Sequence, residues 1–130
     1  MYLNKINVKN FKVITDMELE FTPGVNLLIG DNGVGKSSML ESIAIAMSGM
    51  LKGIRGVYTK GIMQSDIHFK MKGRGDASTE IQYGIPTEIT TSIDVNSTEY
   101  QLKKYRESEE GNSRTKMEDR DGIVKLLQKK

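Results

Sequence analysis

The sequence contains no cysteine. That excludes disulfides and thiolate metal sites, and it fits a reducing compartment. It has no long apolar run, so no segment reads as a transmembrane helix. The opening residues, "MYLNKINVKN", lack the apolar core of a secretory signal. A cytoplasmic protein without membrane contact is therefore the expectation. Charge of one sign is barely in excess. Nineteen Lys and Arg stand against 17 Asp and Glu, and a net charge of +2 is too small to argue for nucleic acid by itself. There is one histidine, His68, with no second His, Cys or acid at ligand spacing. It reads as a surface or hydrogen-bonded residue. No internal repeat or low-complexity tract appears.

What is present suits a soluble domain, 37% hydrophobic and 28% charged. A chain of 130 residues is long enough for one real core. Ile6 and Val8 alternate with Lys5, Asn7 and Lys9, which predicts a half-buried strand over residues 2–11. Met17, Leu19 and Phe21 alternate with Asp16, Glu18 and Glu20 and predict a second. Only "KVIT" separates them, so they should pair as an antiparallel hairpin. "TPG" is a turn, and "VNLLI" at 25–29 reads as a strand buried on both faces. A helix is expected from about Lys36 to Ser48, with Leu40, Ile43, Ala44 and Met47 facing the core and Gly49 ending it. Residues 51–61 read as an exposed basic loop, "DIHFKM" at 66–71 as a short strand and "GRGDAS" as a loop. "EITTSIDV" and "EYQLKKY", joined by "NST", predict a second hairpin. Residues 106–121 are densely charged and read as a loop, and residues 122–130 as the start of a helix.

The strongest signal is "GDNGVGKS", residues 30–37. It fits G-x-x-x-x-G-K-[ST] at every fixed position, between an expected buried strand and an amphipathic helix. Phosphate oxygens need several donors converging at short range. Glycines let the backbone curl so that its N–H groups supply them. A helix N-terminus adds unpaired N–H groups and a favourable dipole. The candidate nucleotide-binding residues are Gly30, Asp31, Asn32, Gly33, Val34, Gly35, Lys36, Ser37 and Ser38. Lys36 would carry charge to the β- and γ-phosphates, and the Ser37 hydroxyl would meet Mg²⁺. Ser38 reads equally as an α-phosphate contact or as a polar residue of the first helical turn. ATP and Mg²⁺ are the expected cofactors.

The segment "INVKNFKVITDMELEFTPGVNLLIGDNGVGKSSMLESIAIAMSG" resembles the N-terminus of the SMC/RecF-like branch of ABC-type ATPases. The likeness covers residues 1–49: a strand ending in "NF" plus a basic residue, an acidic-apolar strand, the glycine-rich loop and a helix. Residues 50–70 resemble more narrowly the AAA-type ATP-binding proteins of Septu-like and retron defence systems, which partner HNH nucleases. The resemblance implies that Asn32 lies near the γ-phosphate and that Lys12 reaches towards the phosphates. On its residues alone, Lys12 is a solvated strand-end lysine. Arg55 and Lys60 would lie in a loop that approaches base or ribose, though a solvated basic loop suits them as well. Gln64 reads as a loop residue, not the family's magnesium-bridging glutamine. Lys52, Arg55, Lys60, Lys70, Lys72 and Arg74 could form a DNA-facing patch, but no aromatic series runs between them.

Hydrolysis asks for more than a phosphate grip: an acid to help hold the metal and a group to orient water. The resemblance places these on an apolar strand ending in Asp-Glu, and adds an "LSGGQ"-like signature. Neither pattern occurs in these 130 residues. No catalytic residue is assigned. The expectation is a single, partial nucleotide-binding domain. Residues 1–49 would form the hairpin, phosphate-loop strand and helix, 50–105 loops and a hairpin, 106–121 a charged loop and 122–130 the start of a helix. Its fold class is mixed α/β with a largely antiparallel sheet, the N-terminal half of an ABC-type ATPase domain. Expected partners are ATP, a C-terminal lobe or second ATPase subunit, a second copy through exposed apolar surface, and more weakly a nuclease or DNA. A non-catalytic binding module and a fragment of an ABC transporter ATPase are the alternatives.

Overall fold

A computed structural model describes residues 2–21, 35–51, 60–73 and 79–128. The expected strand at 25–29, most of the glycine-rich loop, and residues 52–59 and 74–78 of the expected loops lie outside the described residues.

Five strands form one antiparallel sheet in the order β2-β1-β5-β6-β7. β1 (Tyr2–Phe11) and β2 (Ile14–Glu20) make the expected hairpin around a tight turn at Lys12 and Val13. β5 (Thr87–Val95) and β6 (Thr98–Arg106) make the second, and β1 pairs with β5 to join them. The inner sheet face carries Ile6, Val8, Ile89, Ile93 and Leu102, all buried. Helix α1 (Lys36–Met50) packs across it. Strands β3 (Phe69–Gly73) and β4 (Thr79–Tyr83) form a separate two-stranded ribbon, preceded by a 3₁₀ turn at Gln64–Asp66. The expected strand at 66–71 is thus shifted towards its C-terminal end. β4 was not expected, although Thr79, Ile81 and Tyr83 alternate with Glu80 and Gln82.

Two expectations are corrected. First, the buried face of α1 is not the predicted stripe. Leu40 and Ala44 are exposed, and Ile43 and Met47 are only half-buried. The buried face is Ser38, Met39, Ser42, Ile45, Ala46, Gly49 and Met50. Small residues on that face let the helix lie close to the sheet. A Cβ on Gly49 would stand 2.6 Å from Cε of Lys104, whose side chain is buried beneath the helix. The Ser42 hydroxyl donates to the Met39 carbonyl at 2.6 Å, so its burial leaves no polar group unmet. Gly49 therefore serves close packing and does not end the helix, which runs on to Met50.

Second, residues 106–121 are not simply a loop. They contain β7 (Lys116–Asp119), which pairs with β6. Charge density suggested solvation, yet an edge strand needs only backbone pairing on one side. The stretch before β7 is held by Arg106, which is 5% exposed. Its guanidinium donates to the carbonyls of Ser108 (2.8 Å), Glu110 (2.6 Å) and Ile62 (3.0 Å). Gln64 donates to the Glu109 carbonyl, and the Thr115 hydroxyl meets both the N–H and the C=O of Ile62. Beyond β7, Asp119 accepts from the N–H groups of Gly122, Ile123 and Val124 and so caps α2 (Ile123–Gln128), the expected short helix.

Replacing Arg106 with Ala should cost about 2–3 kcal/mol, because one buried and two part-buried carbonyl bonds lose a charged donor. Urea melts would show the drop, and amides of residues 107–115 should lose hydrogen-exchange protection. An unchanged midpoint would refute the role given to this side chain.

Candidate functional site

The site is built where the β1–β2 turn meets the start of α1. Gly35 opens the helix with φ +83°, a left-handed conformation in which a side chain would be strained. Its carbonyl accepts the first helical bond, from Met39 N–H at 2.8 Å. Among the described residues no side chain caps this end, and the first turn contains no acid. The helix dipole there favours an anion. Lys36 is half-buried, Ser37 exposed and Ser38 buried. Gly30, Asp31, Asn32, Gly33 and Val34 lie outside the described residues.

The β1–β2 turn lies against this end of the helix. A Cβ on Gly35 would find Ile14 Cγ1 at 3.6 Å and Val13 Cγ2 at 3.7 Å. Lys12, with φ +52°, extends its ammonium to Glu41 on α1 at 2.5 Å and to Asp66 at 3.5 Å. Its backbone N–H also donates to the Asp66 carbonyl at 2.6 Å. Asp66 is held in turn by the Met63 N–H at 2.9 Å. The Lys12 pKa is raised above the usual lysine value. The hydrogen bond to Glu41 is the main cause, and the charges of Glu41 and Asp66 add to it against the opposing effect of burial. Glu41 and Asp66 were not singled out in the sequence. An acid in the second turn of a helix is common, and a contact between residues 12 and 66 leaves no local pattern.

His68 is fixed on the same side. Its Nδ1 lies 2.6 Å from the Lys12 carbonyl and must donate to it, which leaves Nε2 as an acceptor in the neutral ring. Nε2 is buried and has no hydrogen-bond partner among the described residues, so the expectation of a surface or satisfied histidine holds there for only one ring nitrogen. Gln64 sits in the 3₁₀ turn, with its side chain on the Glu109 carbonyl. Lys60 is exposed, and its N–H donates to Ser48, about 18 Å along α1 from Lys36. Lys60 is therefore far from the helix start. Lys70 is exposed on the ribbon. Lys52, Arg55, Arg74 and the Lys72 side chain lie outside the description. Among the described residues, no cluster of His, Cys, Asp and Glu could hold a metal on its own. No described helix is long and apolar enough to cross a membrane.

A family model described as an AAA domain matches residues 5–130. The chain is 46% identical over 48 residues to the DNA double-strand break repair Rad50 ATPase of Archaeoglobus fulgidus, a match covering 37% of this chain and 5% of that protein. It is 39% identical over 75 residues to the DNA replication and repair protein RecF of Listeria monocytogenes, covering 57% and 20%. It is 34% identical over 85 residues to the Septu protein PtuA of Bacillus mycoides, covering 55% and 12%. The chain thus spans a fifth or less of these relatives' lengths. A solved structure, from work on the structural biochemistry of ATP-driven dimerization and DNA stimulated activation of SMC ATPases, superposes with a TM-score of 0.62. That match covers 98% of this chain and 78% of the other at 18% identity, which establishes a shared fold. The mixed α/β architecture with a largely antiparallel sheet is therefore that of an SMC-type ATPase.

Glu41→Gln should return the Lys12 pKa towards its ordinary value. A raised lysine pKa contributes stability that is present in full below about pH 10.4, the unfolded value, and is lost as pH rises through the folded value. The variant should therefore be weakened only below that range, and by no more than about 1 kcal/mol because both partners are partly solvated. An NMR titration of the Lys12 side chain tests this, and an unmoved pKa would refute the pairing.

Proposed function

We infer function from one premise: the chain belongs to the AAA-domain family whose model matches residues 5–130, in its SMC/RecF-like branch. It is a domain of an ATP-binding ATPase family. On our reading it is the nucleotide-binding lobe, and Gly30, Asp31, Asn32, Gly33, Val34, Gly35, Lys36, Ser37 and Ser38 hold the phosphates of ATP. The observation that carries this is Gly35. Its left-handed backbone precedes Lys36 and Ser37 of the motif and opens a helix whose first turn carries no acid and which, among the described residues, no side chain caps. That arrangement suits a bound polyanion.

Lys36 supplies a positive charge to the outer phosphates. Lys12 stands beside the same helix end and adds a second cation, exchanging Glu41 for a phosphate oxygen. Ser37 has an exposed hydroxyl in the first turn and fits Mg²⁺ as one ligand. One hydroxyl is only part of such a site. Magnesium takes six oxygens and commonly shares them among protein, phosphate and water. Bound metal would neutralise charge on the phosphates. Hydrolysis depends on an acid and a water-positioning group from outside this sequence, in a further lobe or a second subunit. ATP-dependent association of two such lobes, and an action on DNA, are the partner readings that the SMC likeness supports. A cytoplasmic location accords with them. The second reading is a binding module that occupies nucleotide without turnover, favoured by the lack of an apolar-Asp-Glu strand in these residues.

Calorimetric titration with ATP and Mg²⁺ should show saturable binding that Lys36→Ala weakens at least tenfold. No binding at millimolar nucleotide would overturn the nucleotide reading. Turnover by this chain alone, lost in Lys36→Ala, would overturn both its dependence on outside groups and the non-catalytic module.

A further inference from the structure

The ribbon of β3 and β4 carries an apolar face that is largely open among the described residues. Phe69 stands opposite Tyr83 and Met71 opposite Ile81, so these four share one face. Phe69 is 50% exposed, Met71 60% and Ile81 48%. The register positions between them set Lys70 opposite Gln82 and Lys72 opposite Glu80. At its base the ribbon is fastened to β1 by the His68 N–H on the Asn10 carbonyl and by the Phe11–Ile67 bridge. Its far end stands clear of the described body, since a Cβ on Gly73 would meet nothing within 4 Å. Each strand has one neighbour among the described residues, so each offers an edge of unpaired backbone groups. Two strands alone are marginal in water, and further strands that extend the apolar face stabilise a sheet.

The two edges differ in charge. β3 carries Lys70 and Lys72, whereas β4 carries a single acid, Glu80. We propose that β4 pairs antiparallel with β4 of a second copy, about a two-fold axis at Ile81, and so joins two ribbons into one four-stranded sheet. Such an axis keeps the apolar residues of both copies on one face only when residues of the same side are paired. Centred on Ile81, the register sets Glu80 opposite Gln82 of the second copy. An acid then faces a neutral amide that can donate to it. The same construction on β3, centred on Met71, sets Lys70 opposite Lys72, and like charges directly opposite repel. Natural edge strands use lysines to prevent such pairing. The charge pattern thus closes the β3 edge and leaves the β4 edge for a second copy. In the joined sheet the two Ile81 side chains meet at the centre and withdraw apolar surface that each ribbon alone leaves wet. The contact uses neither the glycine-rich motif nor the start of α1, so it is independent of the nucleotide reading.

Sedimentation of the full chain without nucleotide should show a dimer, retained in Lys36→Ala. Ile81→Glu should weaken its association roughly tenfold, because two carboxylates would face each other at the axis. Gln82 supplies a test that fold stability cannot mimic. Gln82→Glu would face Lys70 within its own ribbon but Glu80 across the axis, so it should steady the ribbon and weaken the dimer. Gln82→Lys should do the reverse. The chain has no cysteine, so single cysteines report the register. Directly paired residues of antiparallel strands lie about 5 Å apart at Cα, within disulfide reach, whereas the two Met71 positions would be about 14 Å apart, three strand spacings. With oxidised glutathione, Ile81→Cys should therefore form a disulfide-linked dimer on a non-reducing gel, and Met71→Cys should not. Linkage through Met71→Cys in place of Ile81→Cys would overturn the proposal. A monomer at the highest soluble concentration would also overturn it and leave the edge to a strand of another protein. So would a dimer that forms only with ATP, and each of these results leaves the phosphate-loop reading standing.

Discussion

The geometry of the site depends on a knot of hydrogen bonds at the end of β1. Asn10 has φ +56°, which asparagine tolerates better than most residues. Its carbonyl accepts from the His68 N–H and the Thr87 hydroxyl, and its amide donates to the Pro86 carbonyl at 2.8 Å. Two residues on, Lys12 N–H meets the Asp66 carbonyl and Lys12 C=O meets the His68 ring. Gly84 N–H closes on the His68 carbonyl at 2.7 Å. That approach requires glycine, since a Cβ there would lie 2.7 Å from Asn10 Oδ1. Three segments distant in sequence are tied at one point. The result holds Lys12 and Val13 against the start of α1 and sets Phe69 beside them.

The two sheet faces have different tasks, and the sequence separates them cleanly in the strands. One face is mostly apolar, with Thr91 and Lys104 buried among its aliphatic residues, and lies under the helix. The other alternates charge across strands: Asp16 opposite Lys9, Lys9 opposite Glu88, Glu88 opposite Tyr105, Tyr105 opposite Lys116. Opposite charges on neighbouring strands attract, while a run of one sign would strain the sheet. Lys103 reaches diagonally to Glu88 at 3.0 Å and lies 5.1 Å from the Tyr105 ring centroid. This alternation accounts for a near-neutral chain rich in charge. It also leaves the outer face without the one-signed field that draws a polyanion.

Period-two alternation made β1, β2, β5 and β6 legible, because a strand with one wet face records its environment at every second residue. The helix face was not legible in the same way. Hydrophobicity pointed to Leu40 and Ala44, but close approach selected Ser42, Ala46 and Gly49 for their size. A rule based on greasiness misreads an interface built on small residues. β7 escaped notice because Lys116, Glu118 and Asp119 look solvated, and its order comes from partners elsewhere: Leu102–Tyr105 by pairing, and Arg106 through the preceding carbonyls. The glycine-rich motif was legible because its fixed positions are contiguous in the sequence. Lys12 was visible only through resemblance, and its partners Glu41 and Asp66 not at all, since contacts between residues 12, 41 and 66 are set by the fold.

The ion pairs of Lys12 also bear on how such a site could respond to ligand. Partly solvated pairs contribute little net stability, about 1 kcal/mol or less each. Exchanging Glu41 for a phosphate oxygen would therefore cost the fold almost nothing, while the phosphate gains a cation already in position. The backbone bonds of Lys12 to Asp66 and His68 do not involve its ammonium, so the turn need not move when the side chain does. A rigid backbone carrying a loosely held charge can accept an anion without reorganising its supports. On the proposed reading, that division between main chain and side chain lets Lys12 change partners while the β1–β2 turn keeps its place beside α1.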